Sequence, residues 1–371
     1  MVDMILFDVD GVILSEERYF DASALTVWEL IHSPNYLGLN TGEFTPAPKE
    51  PTIRRVRREV FDNDHVLHMI KNRGINANWD MVYLTFSCQL IGFLETLAET
   101  DPQSVRSFLS QNIDRQTLQQ IGRKAAVLES KPDYTAFVPS FEQTHVQKQE
   151  MLTYLNTIAE EKTGIPTSIF SRNSTLWDVC QQAFQEWYLG NDKLDEPAIQ
   201  TGKKGFLTDE IPIVKPERMK HLFQSLKDRG LTLGLGTGRP EIETVEPLAA
   251  LGILDFFERN RIATAKDVLV AERQYPEKAP LSKPQPFTFV YGRLGKEHSA
   301  QEVIETRLPF DDGDKLLVVG DSPADFYAAR SIGARFAAVL TGLSGQKARS
   351  QFEELGADYI LNDVTEVPSV L

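Results

Sequence analysis

Three short apolar runs, at residues 5–7, 231–236 and 315–319, are each followed at once by polar residues and glycine. Apolar runs of this length, bounded by turn residues, are typical of strands that are buried on both faces of a parallel sheet. Open parallel sheets bind their ligands at the carboxyl ends of the strands. We therefore predict an α/β fold with a functional site where these runs end.

The long stretch between the first two runs has a different pattern. Apolar residues recur at spacings of three and four in segments 22–31, 80–99, 105–109, 147–162 and 175–189, which predicts amphipathic helices. Polar breaks at 40–51, 131–140 and 190–205 separate these segments. Because 371 residues exceed the length of one typical domain, we expect two domains.

The first apolar run ends in Asp8 and Asp10, and Gly11 then breaks the strand. Side chains two residues apart along a strand share one face, so the two carboxylates are expected to lie close together. They repel each other unless a cation lies between them or one keeps a proton. The pattern therefore predicts a hard metal ion together with acid/base chemistry.

The other two runs end in residues that suit an anion and a metal ion. Thr237 and Gly238 follow the second run and offer a hydroxyl and free backbone N–H groups to a phosphate. Asp321 follows the third run, and Asp325 falls in the first turn of the next predicted helix. Lys283 lies just before Pro284 and Pro286, which lead into a helix predicted to begin near residue 286, and it offers a point charge to an anion.

Each of these segments also has a purely structural interpretation. Thr237 is a candidate helix cap, and a lysine beside prolines is often a solvated loop residue. Ser322 and Pro323 form a good helix start, with serine as the N-cap and proline in the first turn. The functional interpretation is favoured because the segments occur together and in order at the ends of predicted strands.

Taken as a set, these segments resemble the four motifs of the haloacid dehalogenase-like (HAD) superfamily, on its phosphatase side. Phe-Asp-Val-Asp-Gly-Val at 7–12 is similar to the first motif, Leu-Gly-Thr-Gly at 235–238 to the second, Lys283 in Lys-Pro-Gln-Pro to the third, and 320–325 to the fourth. Segments 340–345 and 354–362 resemble the end of the phosphoglycolate phosphatase branch. The resemblance covers residues 4–15 and about 210–371.

The resemblance implies a role for each motif residue. Asp8 would be the nucleophile and carry the phosphoryl group, and Asp10 would be the general acid and base. Gly11, Thr237 and Gly238 would hold the phosphoryl oxygens, and Lys283 would hold Asp8 and the transferring group in register. Mg²⁺ would be bound by the Asp8 carboxylate, the Asp10 carbonyl and Asp321, with Asp325 in support.

Two departures from the family pattern affect these assignments. Ser15 stands where relatives often have an acidic residue, so entry into the inserted domain is expected to differ. The segment between Ala263 and Lys283 is longer than in compact relatives, so Lys266 and Lys278 remain alternatives for the third-motif lysine.

Motif spacing then sets the predicted domain organisation. Asp8 and Thr237 are 229 positions apart (237 minus 8), whereas Thr237 and Lys283 are 46 apart (283 minus 237). The large insertion therefore follows the first strand, where this family carries its type 1 helical cap. We predict a Rossmann-like core of residues 1–15 and 206–371 and a mainly α-helical cap of residues 16–205.

Three features of the predicted cap are expected to be structural. The basic cluster of Arg54, Arg55, Arg57 and Arg58 is interpreted as a solvated helix face rather than a guide for an anionic substrate. His65 and His68 lie three apart on a helix, but no other ligand pair completes a metal set. An aromatic stripe is expected to fill the cap core, and consists of Trp177, Phe184, Trp187 and Tyr188.

Composition limits the partners and the location of the protein. A net charge of −14 (39 minus 53) argues against nonspecific binding to nucleic acid or to an acidic membrane. Cys88 and Cys180 suggest no disulfide framework, and no membrane-spanning run or leader is expected, so we predict a cytoplasmic protein.

The hypothesis from sequence is a Mg²⁺-dependent phosphatase that acts on a small phosphorylated metabolite. A phosphomutase or pyrophosphatase with the same nucleophile remains open, as does a noncatalytic phosphate-binding or regulatory protein. The oligomeric state is left open, and the large cap is a candidate dimer surface.

Overall fold

The predicted apolar runs form part of a single parallel sheet. In the computed structural model, which describes residues 2–75 and 77–371, this sheet has six strands in the order β3-β2-β1-β4-β5-β6. The strands are β1 (Met4–Phe7), β2 (Thr232–Gly236), β3 (Ile262–Ala263), β4 (Leu316–Gly320), β5 (Arg335–Val339) and β6 (Tyr359–Leu361). The predicted α/β, Rossmann-like architecture is confirmed.

The chain divides into two units. One joins the segment that ends at Glu17 with Leu207–Leu371, and the other is Arg18–Phe206. The boundaries predicted from sequence, 15/16 and 205/206, differ from these by two residues and one residue (17 against 15, and 206 against 205). We refer to the first unit as the core and to the second as the cap unit.

The cap unit is built from helices. They are α1 (Glu17–His32), α2 (Glu50–Val60), α3 (His65–Asn72), α4 (Asn78–Ala98), α5 (Pro102–Leu109), α6 (Arg115–Val127), α7 (Phe137–Glu142), α8 (Glu150–Thr163) and α9 (Thr175–Leu189). Five of the nine correspond to predicted segments, and α9 has the predicted bounds. The predicted breaks at 40–51 and 131–140 are partly wrong, because α2 begins at Glu50 and α7 at Phe137.

Helix α4 has the length and composition of a membrane span, although the sequence was expected to contain none. Among the described residues, no other helix is both long enough and apolar enough to span a membrane. Its side chains are largely enclosed by the protein, since 72% of its most apolar 18-residue stretch is buried inside the structure. The core helix of a soluble protein shows the same combination, because a helix that is apolar all round is stable when neighbouring helices cover it.

Two expectations about the cap unit can be compared with the structure. The aromatic stripe is buried as predicted, with Trp177, Phe184, Trp187 and Tyr188 at most 5% exposed. The basic cluster is only partly a solvated face. Arg55 pairs with Glu59 at the surface, but Arg54 and Arg57 reach the buried Asp21, at 3.4 and 3.6 Å.

Inside the cap unit, one lysine is shared by two buried carboxylates. Lys203 Nζ lies 2.6 Å from Glu29 Oε2 and 2.7 Å from Glu186 Oε2, and all three side chains are 0% exposed. Trp187 Nε1 donates a hydrogen bond of 2.7 Å to Glu29 Oε2. Burial raises the pKa of Glu29 to about 7, against the opposing charge of Lys203.

The core helices cover both faces of the sheet. They are α10 (Pro216–Asp228), α11 (Glu241–Ala250), α12 (Ala265–Gln274), α13 (Phe287–Leu294), α14 (Ala300–Glu305), α15 (Pro323–Ser331) and α16 (Arg349–Leu355). Ile5 and Phe7 belong to one buried cluster, and Met4 and Leu6 belong to another. Strand β1 therefore alternates between two apolar layers, which is why its sequence is apolar at every position.

Candidate active site

The register of the sheet aligns the ends of three strands. Phe7, the last residue of β1, is paired with Leu235 in β2 and with Val319 in β4. Asp8 follows directly, and its N–H donates to the Val319 carbonyl at 2.9 Å. Because all three strands run in the same direction, the polar residues that follow them lie at one edge of the sheet.

Three of the predicted carboxylates come together at this edge. Asp8, Asp321 and Asp325 each offer a carboxylate oxygen, and these oxygens all lie within 4.8 Å of one another. Asp321 lies directly after β4, and Asp325 lies in the first turn of α15. Ser322 is the N-cap of that helix and Pro323 its first residue, as predicted.

Lys283 lies against this group. Its Nζ is 2.8 Å from Asp8 Oδ1 and 2.7 Å from Asp325 Oδ1, and its side chain is 12% exposed. The alternative lysines lie elsewhere: Lys266 is 65% exposed and pairs with Glu241, and Lys278 is exposed in a short 3₁₀ turn. Only Lys283 among these three contacts Asp8 in the part of the chain that the structure describes.

Crowding of these carboxylates changes their proton affinity. Burial, with the nearby charge of Asp325, raises the pKa of Asp8 to about 7, although Lys283 opposes the change. Burial and the charges of Asp325 and Asp8 also hold the pKa of Asp321 well above its usual range. Burial lowers the pKa of Lys283, but the two carboxylates beside it outweigh that effect and raise it overall. One ammonium group is not enough to balance three carboxylates.

Asp321 is held between two glycines. A Cβ on Gly11 or on Gly342 would overlap Asp321 Oδ2, and Gly11 also has a φ of +68°, in the left-handed region. The hydroxyl of Thr341, next to Gly342, donates a hydrogen bond to the Gly11 carbonyl. The loops that follow β1 and β5 therefore meet around the Asp321 carboxylate, at a distance that only glycine allows.

This donor set fits a hard divalent cation. Asp321 accepts no hydrogen bond from any residue that the structure describes, so its oxygens remain available as ligands. Both oxygens of Asp325 already have partners, Oδ1 with Lys283 and Oδ2 with Ser322. Asp8 and Asp321 are therefore the better placed carboxylate ligands, whereas Asp325 holds the lysine and the start of α15.

Thr237 and Gly238 form the turn after β2. Thr237 is fully buried, and its Oγ1 accepts a hydrogen bond of 3.1 Å from the Arg239 N–H. The next helix, α11, begins at Glu241 with Pro240 as its N-cap, so Thr237 does not cap it. The hydroxyl proton of Thr237 remains to be donated, and Gly238 is exposed. This turn keeps the features expected of an oxyanion site.

The side chain of Asp10 is directed towards an arginine that sequence reasoning had not assigned to the site. Arg239 Nε and Nη2 donate to Asp10 Oδ1 at 2.8 and 2.6 Å, and Arg239 Nη1 donates to Glu210 Oε1 at 2.9 Å. The Arg239 side chain is 1% exposed. Its place directly after Thr237 and Gly238 was the available signal, but neither of its acidic partners is near it in sequence.

Sequence comparisons place these features in a family. The sequence model of the family described as HAD-hydrolase-like matches residues 281–367, a segment that includes Lys283, Asp321 and Asp325. No curated protein matches the sequence.

One solved structure agrees with the fold over the whole chain, and two others are more distant. An X-ray structure from the Northeast Structural Genomics Consortium is 36% identical, with a TM-score of 0.91, and the match covers 100% of this chain and 98% of that one. A HAD family hydrolase from Deinococcus radiodurans with bound phosphate and sodium is 14% identical, with coverages of 100% and 94% and a TM-score of 0.41. A HAD hydrolase from Bacillus subtilis bound to magnesium is 14% identical, with coverages of 100% and 98% and a TM-score of 0.42.

The TM-scores of the last two structures are too low to support an argument about fold or function. The first match extends over the whole chain, and the family model covers the segment that supplies Lys283, Asp321 and Asp325. The chain belongs to the haloacid dehalogenase-like hydrolase family.

Proposed function

We propose that the protein is a Mg²⁺-dependent phosphatase that hydrolyses a small phosphorylated metabolite through a phosphoryl group carried on Asp8. The observation that carries this proposal is the position of Asp8, which lies 2.8 Å from Lys283 and beside Asp321 and Asp325. A cation and further carboxylates around one aspartate suit a nucleophile that attacks a phosphoryl group.

The proposed reaction has two steps. In the first, a carboxylate oxygen of Asp8 forms a bond to phosphorus while the bond from phosphorus to the ester oxygen breaks. The electron pair of that bond stays on the departing oxygen, which takes a proton from Asp10. In the second step, water forms a bond to phosphorus, the bond to Asp8 breaks, and Asp10 takes a proton from the water. Both aspartates then return to their starting states.

The other residues hold the phosphoryl group and its charge. Lys283 offsets the charge of Asp8 and would contact a phosphoryl oxygen, and the Thr237 hydroxyl with the backbone N–H groups around Gly238 and Gly11 would hold the others. Asp8, Asp321 and the Asp10 main-chain carbonyl would bind Mg²⁺. When bound, the ion supplies positive charge that lowers the repulsion between the carboxylates and the phosphate ester.

A site that only bound phosphate would not need this arrangement. Three carboxylates at one place repel a phosphate, so they weaken simple anion binding unless a metal ion is present. Simple phosphate binding also has no use for the carboxyl group of Asp10, whose ionised form repels an anion, whereas proton transfer needs it. These two points favour catalysis over a regulatory, noncatalytic role.

Phosphate release tests the proposal. Wild type and Asp8→Asn would be assayed with Mg²⁺ against a panel of phosphomonoesters and pyrophosphate, and the phosphorylated products would be identified. We expect release from at least one monoester and a fall of at least about 10³-fold in kcat for Asp8→Asn, because the nucleophile is lost. Asp255→Asn is a matched control, since the Asp255 side chain is 93% exposed.

Three outcomes would contradict the proposal. Turnover that survives in Asp8→Asn would remove the nucleophile assignment. Conversion of one phosphorylated compound into an isomer without phosphate release would identify a mutase, and activity confined to pyrophosphate would identify a pyrophosphatase. We also propose a cytoplasmic location, because the two cysteines suggest no disulfide framework, and no nucleic-acid or membrane partner, because the net charge is −14.

A further inference from the structure

Arg239 is a buried cation whose donors are nearly all committed to protein oxygens. Nε and Nη2 donate to Asp10 Oδ1, and Nη1 donates to Glu210 Oε1 and to the Glu243 carbonyl, the last at 3.2 Å. At least four of its five N–H groups are therefore directed at Asp10, Glu210 and Glu243. An arginine that bound the substrate phosphate would need free donors, so its role lies in what it does to these neighbours.

Its contact with Asp10 is unequal between the two carboxylate oxygens. Both N–H groups reach Oδ1, whereas Oδ2 accepts no hydrogen bond from the residues that the structure describes. The Asp10 side chain is 29% exposed, although the arginine beneath it is 1% exposed. One oxygen is thus fixed by two donors, and the other remains open to a ligand.

This division of roles matches what a general acid requires. A general acid must place its proton within about 2.6–3.2 Å of the departing oxygen, and small errors of position lose much of the rate. A carboxylate on a short side chain rotates freely unless one oxygen is held. Two N–H groups of a planar guanidinium hold one oxygen in a defined orientation, which a single ammonium group cannot do.

Arg239 is itself fixed from the opposite side. Glu210 is a buried acidic residue, with its side chain 1% exposed, and its Oε1 lies 2.9 Å from Arg239 Nη1. The two carboxylates satisfy the buried guanidinium, which would otherwise be costly to place in the interior. The Thr237 Oγ1 bond to the Arg239 N–H also ties the backbone at this point to the turn after β2.

We propose that Arg239 is a positioning residue for Asp10: it fixes Oδ1 so that Oδ2 presents the proton to the leaving oxygen. The inference rests on the proposed phosphatase function. It adds a residue that touches neither the substrate nor the metal ion and that acts through Asp10 alone.

Leaving-group dependence tests this role. The test uses Arg239→Lys, which keeps the charge but loses the paired donors, with phenyl phosphate and p-nitrophenyl phosphate as substrates. The two esters are similar in size, but p-nitrophenolate leaves readily without a proton, whereas phenolate depends on the general acid. The parameter compared is kcat/KM, because it reports only the steps up to departure of the phenol and not the later attack of water, in which Asp10 acts alike for both esters. Since general acids contribute about 10²–10⁴-fold, we expect kcat/KM for phenyl phosphate to fall on the order of 10- to 100-fold and kcat/KM for p-nitrophenyl phosphate about 3-fold or less.

Arg261→Lys is the matched control. Arg261 also lies in the core and bonds to Glu258 and to main-chain carbonyls, but it has no contact with Asp10. We expect Arg261→Lys to change kcat/KM for both esters by the same factor. If Arg239→Lys does not fold, the pair Arg239→Met with Glu210→Met removes both buried charges together and carries the same expectation.

The outcomes separate the two proposals. A wild-type enzyme that releases no phosphate from either ester defeats the proposed function, and with it this inference. Wild-type turnover, combined with equal losses for the two esters in the Arg239 variants, leaves the phosphatase intact and overturns the positioning role. Selective loss with phenyl phosphate supports it.

Discussion

The buried cluster of Lys203, Glu29 and Glu186 makes the stability of the cap unit depend on pH. Burial raises the pKa of Glu29 from 4.5 to about 7, since one ammonium group serves two carboxylates in a site with 0% exposure. Between these two pH values the unfolded chain ionises Glu29 while the folded cap unit keeps the proton. The folded state then binds more protons, so its stability falls as the pH rises.

The magnitude follows from the size of this change. A pKa that moves from 4.5 to about 7 corresponds to about 3 kcal/mol, present in full below pH 4.5 and lost as the pH passes 7. The perturbation is Glu29→Gln, which cannot ionise. We expect the unfolding free energy of wild type, relative to Glu29→Gln, to fall by about 2 kcal/mol between pH 5.5 and 7.

Tryptophan fluorescence in urea is the appropriate assay. All four tryptophans of the chain, Trp28, Trp79, Trp177 and Trp187, lie within the cap unit, so the signal follows that unit. Glu95→Gln is the control, because Glu95 forms a surface pair with Lys162 and is 41% exposed. A difference between wild type and Glu29→Gln that is constant with pH, or that grows as the pH rises, would refute the reasoning.

Two further predictions concern the site. Gly11→Ala is expected to reduce phosphate release by at least about 10-fold and to lower the free energy of unfolding by about 1–2 kcal/mol, because the new Cβ would overlap Asp321 Oδ2 and the φ of residue 11 is +68°. Initial rates and thermal unfolding measure the two effects. A variant with normal rates would show that the loops tolerate the side chain. Lys283→Met should lower kcat by at least about 10²-fold, because Asp8 and Asp325 lose the cation that they share. Lys266→Met is the control and should retain activity. Steady-state kinetics compare the two variants, and the reverse ranking would restore Lys266 as the third-motif lysine.

The core was largely predictable from sequence because its strands are short, continuous apolar runs. Strand β1 is apolar at every position, since both faces of the sheet are covered, and the run stops where Asp8 leaves the sheet. The register then brings Asp8 and Asp321 together without any further information, because parallel neighbours end at one edge. Lys283 could be chosen over Lys266 and Lys278 only by resemblance, since its loop has no periodic pattern.

Short polar helices of the cap unit were not predictable in the same way. Helix α6 has few buried positions, and Leu118, Ile121 and Ala125 form a narrow stripe among polar residues. Asp114 caps this helix by accepting a hydrogen bond from the Thr117 N–H, a signal that is separate from hydrophobic periodicity. Hydrophobic pattern identifies helices with a wide apolar face, and it is weak where that face is narrow.

The pairing of Arg239 with Asp10 shows a different limit of prediction from sequence. The two residues are 229 positions apart, and no local pattern links them. An arginine after a strand can bind a ligand, a carboxylate or water, and only the fold decides among these. Sequence therefore indicates which chemical groups reach the edge of the sheet, but not how they pair there.

The central position of β1 has a consequence for biosynthesis. Among the described strands, its neighbours are β2 and β4, which begin 228 and 312 residues later (232 minus 4, and 316 minus 4). At about 5–20 residues per second, the ribosome delivers β4 roughly 15–60 s after β1. The whole cap unit, one continuous segment, is completed in the interval. The strand that presents the nucleophile is therefore made early and left without a partner, and the nascent chain must keep an apolar segment shielded until its sheet exists.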